Sequence, residues 1–506
     1  AIPLVSSLGF LLILENLVRI EHGSDAQRFP GPSADLTLSL AGIHLRLPQV
    51  VSLAVVVLLV LGLVWLMKSS RIGRMLRAIA ENPDAAGILG IETRRVVPIV
   101  FMLTGMLCGL AGALFAVNYG EVSPQMGEDI GSKAIAGMVV GGLGSLWGDH
   151  RADRDDDHPL GWRRHGAGDR LGRAADHPAA APARPVRPPR HRQGEAVMSG
   201  YWIGLITILS INVIFAYGIF LAVATGQLNL GGAGFQALGA YAAAYLAMEM
   251  DQPLVVTIAA GMIVAGVIGF AISFPILRLK GVYLVLGTFA FAEVVAGLIL
   301  NSDALGGATG LPVPTFIDWE APAIAAVIVA VLVFWLMATR FGLVVRSVHD
   351  DEVVADLMGV NVRMVRVSAF ALGAALAGLS GALYAHAFSF VEIQVFNASL
   401  SIYVLLYVLL GGAQTAWGPL FGAAFFTLLP EALRDSLPAI KETVFGALGI
   451  EGASNPPDES WRFVILGVAT VLMMIFRPEG LITRTLVERL RPLNRAPRAA
   501  HAEAAE

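Results

Sequence analysis

Charge is scarce in this sequence of 506 residues, and cysteine is almost absent. Asp, Glu, Lys and Arg together make up 15% of the chain, whereas a soluble domain carries about 25%. The single cysteine, Cys108, excludes an internal disulfide. No G-x-x-x-x-G-K-[ST] pattern occurs, which excludes a P-loop nucleotide site within this sequence. The low charge content and a mean hydropathy of +0.69 indicate a polytopic membrane protein rather than a set of soluble domains.

Apolar segments fill the chain instead, and several can cross the roughly 30 Å hydrocarbon core. Basic residues flank them near 68–77, near 340–346 and in the C-terminal tail, which places these loops on the cytoplasmic side. An even number of crossings must then separate the last two, so the run 400–430 is expected to cross twice and to break at GGAQTAWGP. The predicted segments are 1–20, 47–67, 96–118, 132–147, 201–224, 231–248, 254–276, 282–300, 321–339, 366–388, 400–411, 419–430 and 462–476.

One cytoplasmic stretch occurs twice. RIGRMLRAIAENPDAAGILGIETRRV (71–96) returns as RFGLVVRSVHDDEVVADLMGVNVRMV (340–365), and the match continues from GLAGAL (109–114) to GLSGAL (378–383). GGLGSLWG likewise aligns with GGAQTAWG, and Glu15 aligns with Glu293 in an earlier stretch of the repeat. This repeat indicates two related membrane modules in one chain, in the same orientation, the first lacking its beginning.

The repeated loop carries a resemblance to a known family. GRMLRAIAENPDAAGILGI and GLVVRSVHDDEVVADLMGV resemble the coupling loops of permease subunits in bacterial ABC importers for branched-chain amino acids. GQLNLGGAGFQALGAYAAAYL, LRLKGVYLVLGTFAFAEVV and FRPEGLI are similar to the second of the two permease subunits in that family. The resemblance implies an all-α fold, a polytopic transmembrane helical bundle of two homologous permease modules.

The same resemblance implies a division of the chain and a set of partners. We expect a truncated first module (1–148), a polar and disordered tract (149–197), a second module (198–485) and a disordered cytoplasmic tail (486–506). Separate cytoplasmic ATPase subunits would supply the energy, and a periplasmic solute-binding protein would deliver the amino acid. The protein itself would be a non-enzymatic, multi-pass component of the bacterial inner membrane, in contact with lipid. No cofactor, metal or nucleic acid is expected.

The coupling loops are expected to dock the ATPases. Their Ala and Gly positions would permit close approach of a partner, and the glycine suits a helix end. The alternative is a solvated connector that obeys the positive-inside rule. The loop residues assigned to coupling are Arg71, Arg77, Ala86, Gly90, Arg340, Arg346, Ala355 and Gly359.

Four polar residues within apolar segments are candidates for the substrate path. Glu15 and Glu293 lie at matching positions, and a carboxylate inside a membrane is functional by default. The alternative is a carboxylate that is hydrogen-bonded to a neighbouring helix. Gln227 and Asn229 lie beside a glycine cluster that breaks helix geometry, where non-helical backbone can line a cavity. The alternative for these two is capping of a helix end.

The tract after GSLWG turns polar within one residue. DHRADRDDDHPLGWRRHG cannot cross a membrane, although the first module should continue with two more spans. In a frame shifted by one nucleotide, Asp codons read as Ile, Met or Thr and Ala codons can read as Leu, so a frameshift in a GC-rich gene would explain the tract. A natural or engineered linker is the alternative. A functional site is disfavoured, because the histidines of the tract fit no metal-ligand spacing and Asp is interleaved with Arg.

Other functions remain open from the residues alone. An ABC permease for an amide, urea or sugar would share spans and loop, and an ion-coupled secondary transporter can also contain parallel repeats. A membrane-embedded enzyme would need convergent catalytic groups or metal ligands. Glu15, Glu293 and His386 are isolated, so no catalytic set is predicted.

We predict that residues 149–197 have no fixed structure, because their high charge and proline content cannot bury enough apolar surface to offset ordering entropy. Amide hydrogen exchange of the purified protein should be rapid throughout this tract. A protected helix there would contradict the prediction.

Overall fold

The computed structural model describes residues 2–29, 37–40, 43–141, 191–279, 281–447, 460–477 and 479–484. Helices dominate these residues, as the apolar segments predict. The helices of the first module are α1 (Ile2–His22), α2 (Leu47–Ser69), α3 (Arg71–Glu81), α4 (Pro83–Ile88), α5 (Thr93–Tyr119) and α6 (Met126–Gly141).

The second module contains eleven helices among the described residues. They are α7 (His191–Val223), α8 (Gly232–Glu249), α9 (Leu254–Ile276), α10 (Val282–Leu300), α11 (Glu320–Ala338), α12 (Arg340–Asp350), α13 (Glu352–Leu357), α14 (Val362–Phe388), α15 (Ala398–Gly412), α16 (Trp417–Ala447) and α17 (Trp461–Phe476). Short 3₁₀ turns cover Asp303–Leu305, Gly307–Thr309 and Ile393–Phe396.

Short antiparallel strand pairs close the connections between helices. In the first module β1 (Gln27–Arg28) pairs with β4 (Glu121–Val122), and β2 (Thr37–Leu40) pairs with β3 (Ile43–Arg46). In the second module β5 (Leu311–Pro312) pairs with β6 (Phe390–Val391). The pairs β1–β4 and β5–β6 have equivalent places in the repeat, since β4 follows α5 and β6 follows α14.

The predicted spans agree closely with the helices. Seven helices in the described part of the chain are long and apolar enough to cross a membrane. The predicted break in the run 400–430 is confirmed, because α15 and α16 are separated at residues 413–416 by a bend of 120°. α15 has 15 residues and therefore rises only about 22 Å. Whether this bent pair completes two crossings stays a prediction.

Small residues bring α14 into backbone contact with its neighbours, α8 and α9. A Cβ on Gly239 of α8 would lie 2.4 Å from the Gly378 Cα, and a Cβ on Gly378 would lie 2.7 Å from the carbonyl oxygen of Gly261 in α9. Such close approach is how helices associate in a membrane, where apolar burial gives no preference for protein over lipid. The stripe that contains Gly378 is therefore a packing face.

The equivalent stripe in the first module has no such neighbour. Around Gly105, Gly109 and Gly112 of α5, an added Cβ would meet nothing within 4 Å. The packing face expected there is thus unfilled among the described residues. In the second module α8 and α9 fill the corresponding face of α14.

The polar tract is shorter than predicted at its C-terminal end. α7 begins at His191, so residues 191–197 are helical and continue directly into the span. Adding a residue to an existing helix is much easier than nucleating one, and the apolar segment that follows supplies the helix to extend. Residues 149–190 of the tract and the tail 486–506 lie outside the described residues.

The two stripes provide a matched pair of substitutions. Gly378→Leu should destabilise the protein by about 1–3 kcal/mol, because the added side chain meets backbone of α8 and α9. Gly109→Leu, at the equivalent position of the repeat, should have little effect. Thermal or detergent-induced unfolding of the purified protein measures both. Equal loss of stability in the two variants would contradict the packing described here.

Candidate functional site

The two copies of the repeated loop fold in the same way. In the first module α3 and α4 follow the span α2, and in the second α12 and α13 follow the span α11. α3 and α12 each have 11 residues, and α4 and α13 each have 6. The repeat of sequence is therefore also a repeat of structure, and each loop is a defined pair of helices.

Arginines fix the angle between each span and its loop. Arg71 and Arg340 begin the loop helices α3 and α12 and are exposed to solvent. Arg77 Nη1 donates a hydrogen bond to the carbonyl of Met67 at 2.7 Å, and Arg346 Nη2 donates to the carbonyl of Met337 at 2.8 Å. These carbonyls lie in the last turn of a span, where helix geometry leaves them without a helical partner.

A glycine allows the sharp corner at this point. Gly73 and Gly342 are buried, and a Cβ on either would lie 2.4 Å or 2.2 Å from the carbonyl oxygen of Met67 or Met337. A larger residue would push the loop helix away from the span. The sequence motif therefore includes this glycine for steric reasons.

A second glycine ends each loop. Gly90 and Gly359 both have a φ of +85°, a left-handed conformation that favours glycine. The following N–H groups donate back to Ala86 at 3.0 Å and to Ala355 at 3.1 Å. This arrangement closes the helix and turns the chain toward the next span.

The two alanines assigned to coupling are buried within the loops. Ala86 and Ala355 are buried, with exposures of 1% and 3%. Their small side chains pack inside the loop's own module, because the chain turns back over them at the following glycine. They shape the loop and offer no surface to a partner.

The residues missed by sequence reasoning are the apolar pairs directly before each glycine. Among the most exposed large apolar side chains, these four lie at matching positions: Ile88 (88%), Leu89 (78%), Leu357 (80%) and Met358 (81%). In the sequence each pair stands directly before the glycine that ends the loop, at matching positions of the repeat. The two loops thus each present an exposed apolar pair at the same place.

The motifs GGAQTAWGP and FRPEGLI contact each other beside the second loop. The N–H of Leu481 donates to the carbonyl of Leu410 at 2.7 Å. Two residues beyond this motif, Arg484 Nη1 pairs with the Asp350 carboxylate at the end of α12, at 3.2 Å. The C-terminal segment thus links the bend after α15 to the loop helix α12.

A neutral histidine packs beside this link. Burial lowers the pKa of His349 below its ordinary value, and the guanidinium of Arg484 lowers it further. The Asp350 carboxylate and a hydrogen bond to the backbone of Val223 oppose this effect. The imidazole is therefore uncharged at pH 7 and packs between α12 and the end of α7.

Glu15 lies on α1 near α15 and α17. Its carboxylate pairs with Arg19 one turn further along the helix, at 2.5 Å, and its side chain is 10% exposed. It lines a cavity of about 290 Å³ together with Tyr403 and Tyr407 of α15 and Phe463 of α17. The ion pair within α1 favours a packing role for this carboxylate over direct contact with substrate.

Glu293 lies in a different environment. It is on α10, which packs against α6 of the other module. The charged group whose field acts on its carboxylate is Lys133 of α6. The positive charge of Lys133, on the other module, thus acts electrostatically on this carboxylate.

The two glutamates occupy related places. α1 packs against α15, and in the same way α10 packs against α6. Each helix that carries a glutamate therefore packs against the other module. Tyr403 matches Lys133 when GGAQTAWG is aligned with GGLGSLWG. The structure therefore places Glu15 and Glu293 at two equivalent interfaces with different partners.

Gln227 and Asn229 have different surroundings. Asn229 Oδ1 accepts a hydrogen bond from the N–H of Gly231 at 2.8 Å, in the turn just before α8. Gln227 is 2% exposed, and neither its Oε1 nor its Nε2 has a hydrogen-bond partner among the described residues. His386, in turn, is held between the hydroxyl groups of Thr257 and Thr315 at 2.8 Å and 2.7 Å.

A family model described as the permease component of branched-chain amino acid transport systems matches residues 3–149 and 201–474. The high-affinity branched-chain amino acid transport system permease protein LivM of Escherichia coli is 27% identical over 320 residues, which cover 56% of this chain and 70% of LivM. No solved structure matches the chain.

Other relatives match a shorter part. The permease protein LivH of Escherichia coli is 33% identical over 156 residues, and BraD of Pseudomonas aeruginosa is 30% identical over 151 residues. Each match covers 29% of this chain and 49% of the relative, so the chain spans about half the length of LivH and BraD. The family model covers both modules and most of the chain, and with its apolar helices the protein therefore belongs to the permease components of branched-chain amino acid transport systems, as a multi-pass protein of the bacterial inner membrane.

Proposed function

We propose that this protein is the membrane component of an ATP-driven importer of branched-chain amino acids. The observation that carries the proposal is the repeated loop, which presents an exposed apolar pair at the same place in each module. A surface that occurs twice serves a partner that is present twice, and two ATPase subunits meet this requirement. Family membership and the named relatives support the substrate class.

The division of labour follows from the structure of the loops. The ATPases would bind Ile88 and Leu89 in one loop and Leu357 and Met358 in the other. Movement of a loop would pass through Arg77 or Arg346 to the attached span, because these side chains fix the corner between them. A solute-binding protein would deliver substrate on the opposite side of the membrane, and the permease would not itself catalyse a reaction.

The substrate path would follow the interface between the modules. Glu293 and Lys133 face each other there, and both could bind the charged ends of an amino acid. Glu15 is the equivalent position, but Arg19 already neutralises it. We therefore assign Glu293 the direct role and Glu15 a supporting one.

The docking loops can be tested with Leu357→Asp combined with Met358→Asp. Binding of the ATPase should weaken at least about hundredfold, because burying each of these side chains contributes about 1.5–3 kcal/mol. Co-purification and substrate-stimulated ATP hydrolysis measure the effect. The pair is a cleaner target than Gly359→Trp, since any side chain at a φ of +85° also strains the backbone.

The matched control exchanges the two residues, Leu357→Met with Met358→Leu, and keeps the surface apolar. It should bind the ATPase nearly normally. If the aspartate variant inserts into the membrane and still retains the ATPase at the wild-type level, the loops are connectors and the proposal is wrong.

Glu293→Gln should reduce uptake of leucine at least about tenfold, because the charge that meets Lys133 and the substrate is removed. Uptake is measured in cells that contain the ATPase and binding protein. Glu249→Gln, at the exposed end of α8, is the control and should transport normally. Normal uptake by Glu293→Gln with intact assembly would leave this carboxylate a packing role only.

A further inference from the structure

A small cavity lies at the cytoplasmic ends of α9 and α10, away from the interface of the modules. Its volume is about 150 Å³, below the roughly 300 Å³ at which pockets for drug-sized ligands begin. Such a volume suits a small metabolite. The residues that matter for its chemistry are Gln227, Glu352, Arg366, Leu277, Leu279 and Leu284.

Gln227 is the unusual member of this set. It is 2% exposed, and both atoms of its amide lack a hydrogen-bond partner among the described residues. A buried amide without partners is destabilising, so its presence needs an explanation. An amide supplies both a donor and an acceptor, and Gln227 lines the cavity.

An ion pair provides the charged part of the site. Glu352, the first residue of α13, pairs with Arg366 in the second turn of α14. Arg366 Nε is buried and has no partner among the described residues. The cavity is therefore lined by residues that carry a carboxylate, a guanidinium and an amide.

The leucines complete the set. Leu277, Leu279 and Leu284 form the apolar wall, beside these charged and polar groups. A molecule that matches all three parts has an anionic group, a cationic group and an aliphatic branch. A zwitterionic aliphatic α-amino acid has these features.

We propose that this cavity binds a zwitterionic aliphatic α-amino acid on the cytoplasmic side, as the product of transport. The ligand carboxylate would bind Arg366 and Gln227 Nε2, and the ammonium group would bind Glu352 and Gln227 Oε1. The choice of ligand rests on the proposed function, while the site rests on the unpartnered groups. Glu352 is part of the second coupling loop, so an occupied site would hold that loop against α14.

The site exists in the second module only. The positions that match Glu352 and Arg366 in the first module are Pro83 and Val97, which can form neither the ion pair nor the ligand contacts. A feature needed for docking of each ATPase would occur in both loops. The cavity is therefore not part of ATPase docking. Its occupancy would depend on the concentration of product and would change the second coupling loop only.

Binding of radiolabelled L-leucine to the purified full-length protein in lipid nanodiscs tests the proposal. Gln227→Leu should weaken binding at least about tenfold. The same change should leave the thermal stability without leucine unchanged or higher, because it removes a buried unpartnered amide. A purely structural glutamine would give the opposite result, a loss of stability.

The matched control is Gln236→Leu, which alters another buried glutamine, on α8, outside this cavity. It should bind leucine as the wild type does. Isopentylamine and 4-methylpentanoate, which each lack one charged group of leucine, should compete at least about tenfold less well. Glu249→Gln, at the exposed end of α8, should also retain binding.

Absence of leucine binding, or binding that is unchanged in Gln227→Leu, would overturn the inference. Neither result affects the proposed function, which depends on ATPase capture and uptake.

Discussion

Backbone contact between α14 and its two neighbours is the constraint on which the second module depends. Gly239, Gly261 and Gly378 allow three helices to approach more closely than any side chain would permit. In a membrane this contact replaces the hydrophobic effect as the source of association. Because α14 starts directly after the coupling loop, its fixed position also fixes that loop. The first turns of α14 bring Arg366 against Glu352. Packing in the centre of the bundle therefore sets the geometry of the cytoplasmic surface.

The coupling loops show how a short motif encodes a shape. An arginine satisfies the last carbonyl groups of the span, one glycine permits the corner, and a second glycine in the left-handed region ends the loop. Each residue type has a separate physical reason, and the same reasons apply at both copies. The alanine between them is buried, so it serves the fold of the loop. The exposed apolar pair is the part of the loop to which we assign binding in the proposed function.

Most of the fold was predictable from the sequence, because membrane spans depend on long apolar runs that are visible without a structure. The break after Gly412 was also predictable, since glycine and proline interrupt helices wherever they cluster. Burial within a loop was not predictable, and Ala86 was therefore assigned to the surface. The cavity beside Gln227 could not be foreseen either, since its walls come from five separate segments. Asn229 shows the same limit, because only the structure reveals that its oxygen accepts a hydrogen bond from the N–H of Gly231, just before α8.

Differences between the two modules are as informative as the repeat. Where the modules share a feature, as in the corner arginines, the feature supports the fold or a partner that is present twice. At two pairs of matching positions the modules differ. Lys133 matches Tyr403, and Val97 matches Arg366. A substrate that passes between the modules has no internal symmetry, so the groups that bind it need not be repeated. The unmatched polar residues are therefore the places where recognition of the amino acid is to be sought, and they lie in two groups. One faces the interface between the modules, and the other lies against the second coupling loop.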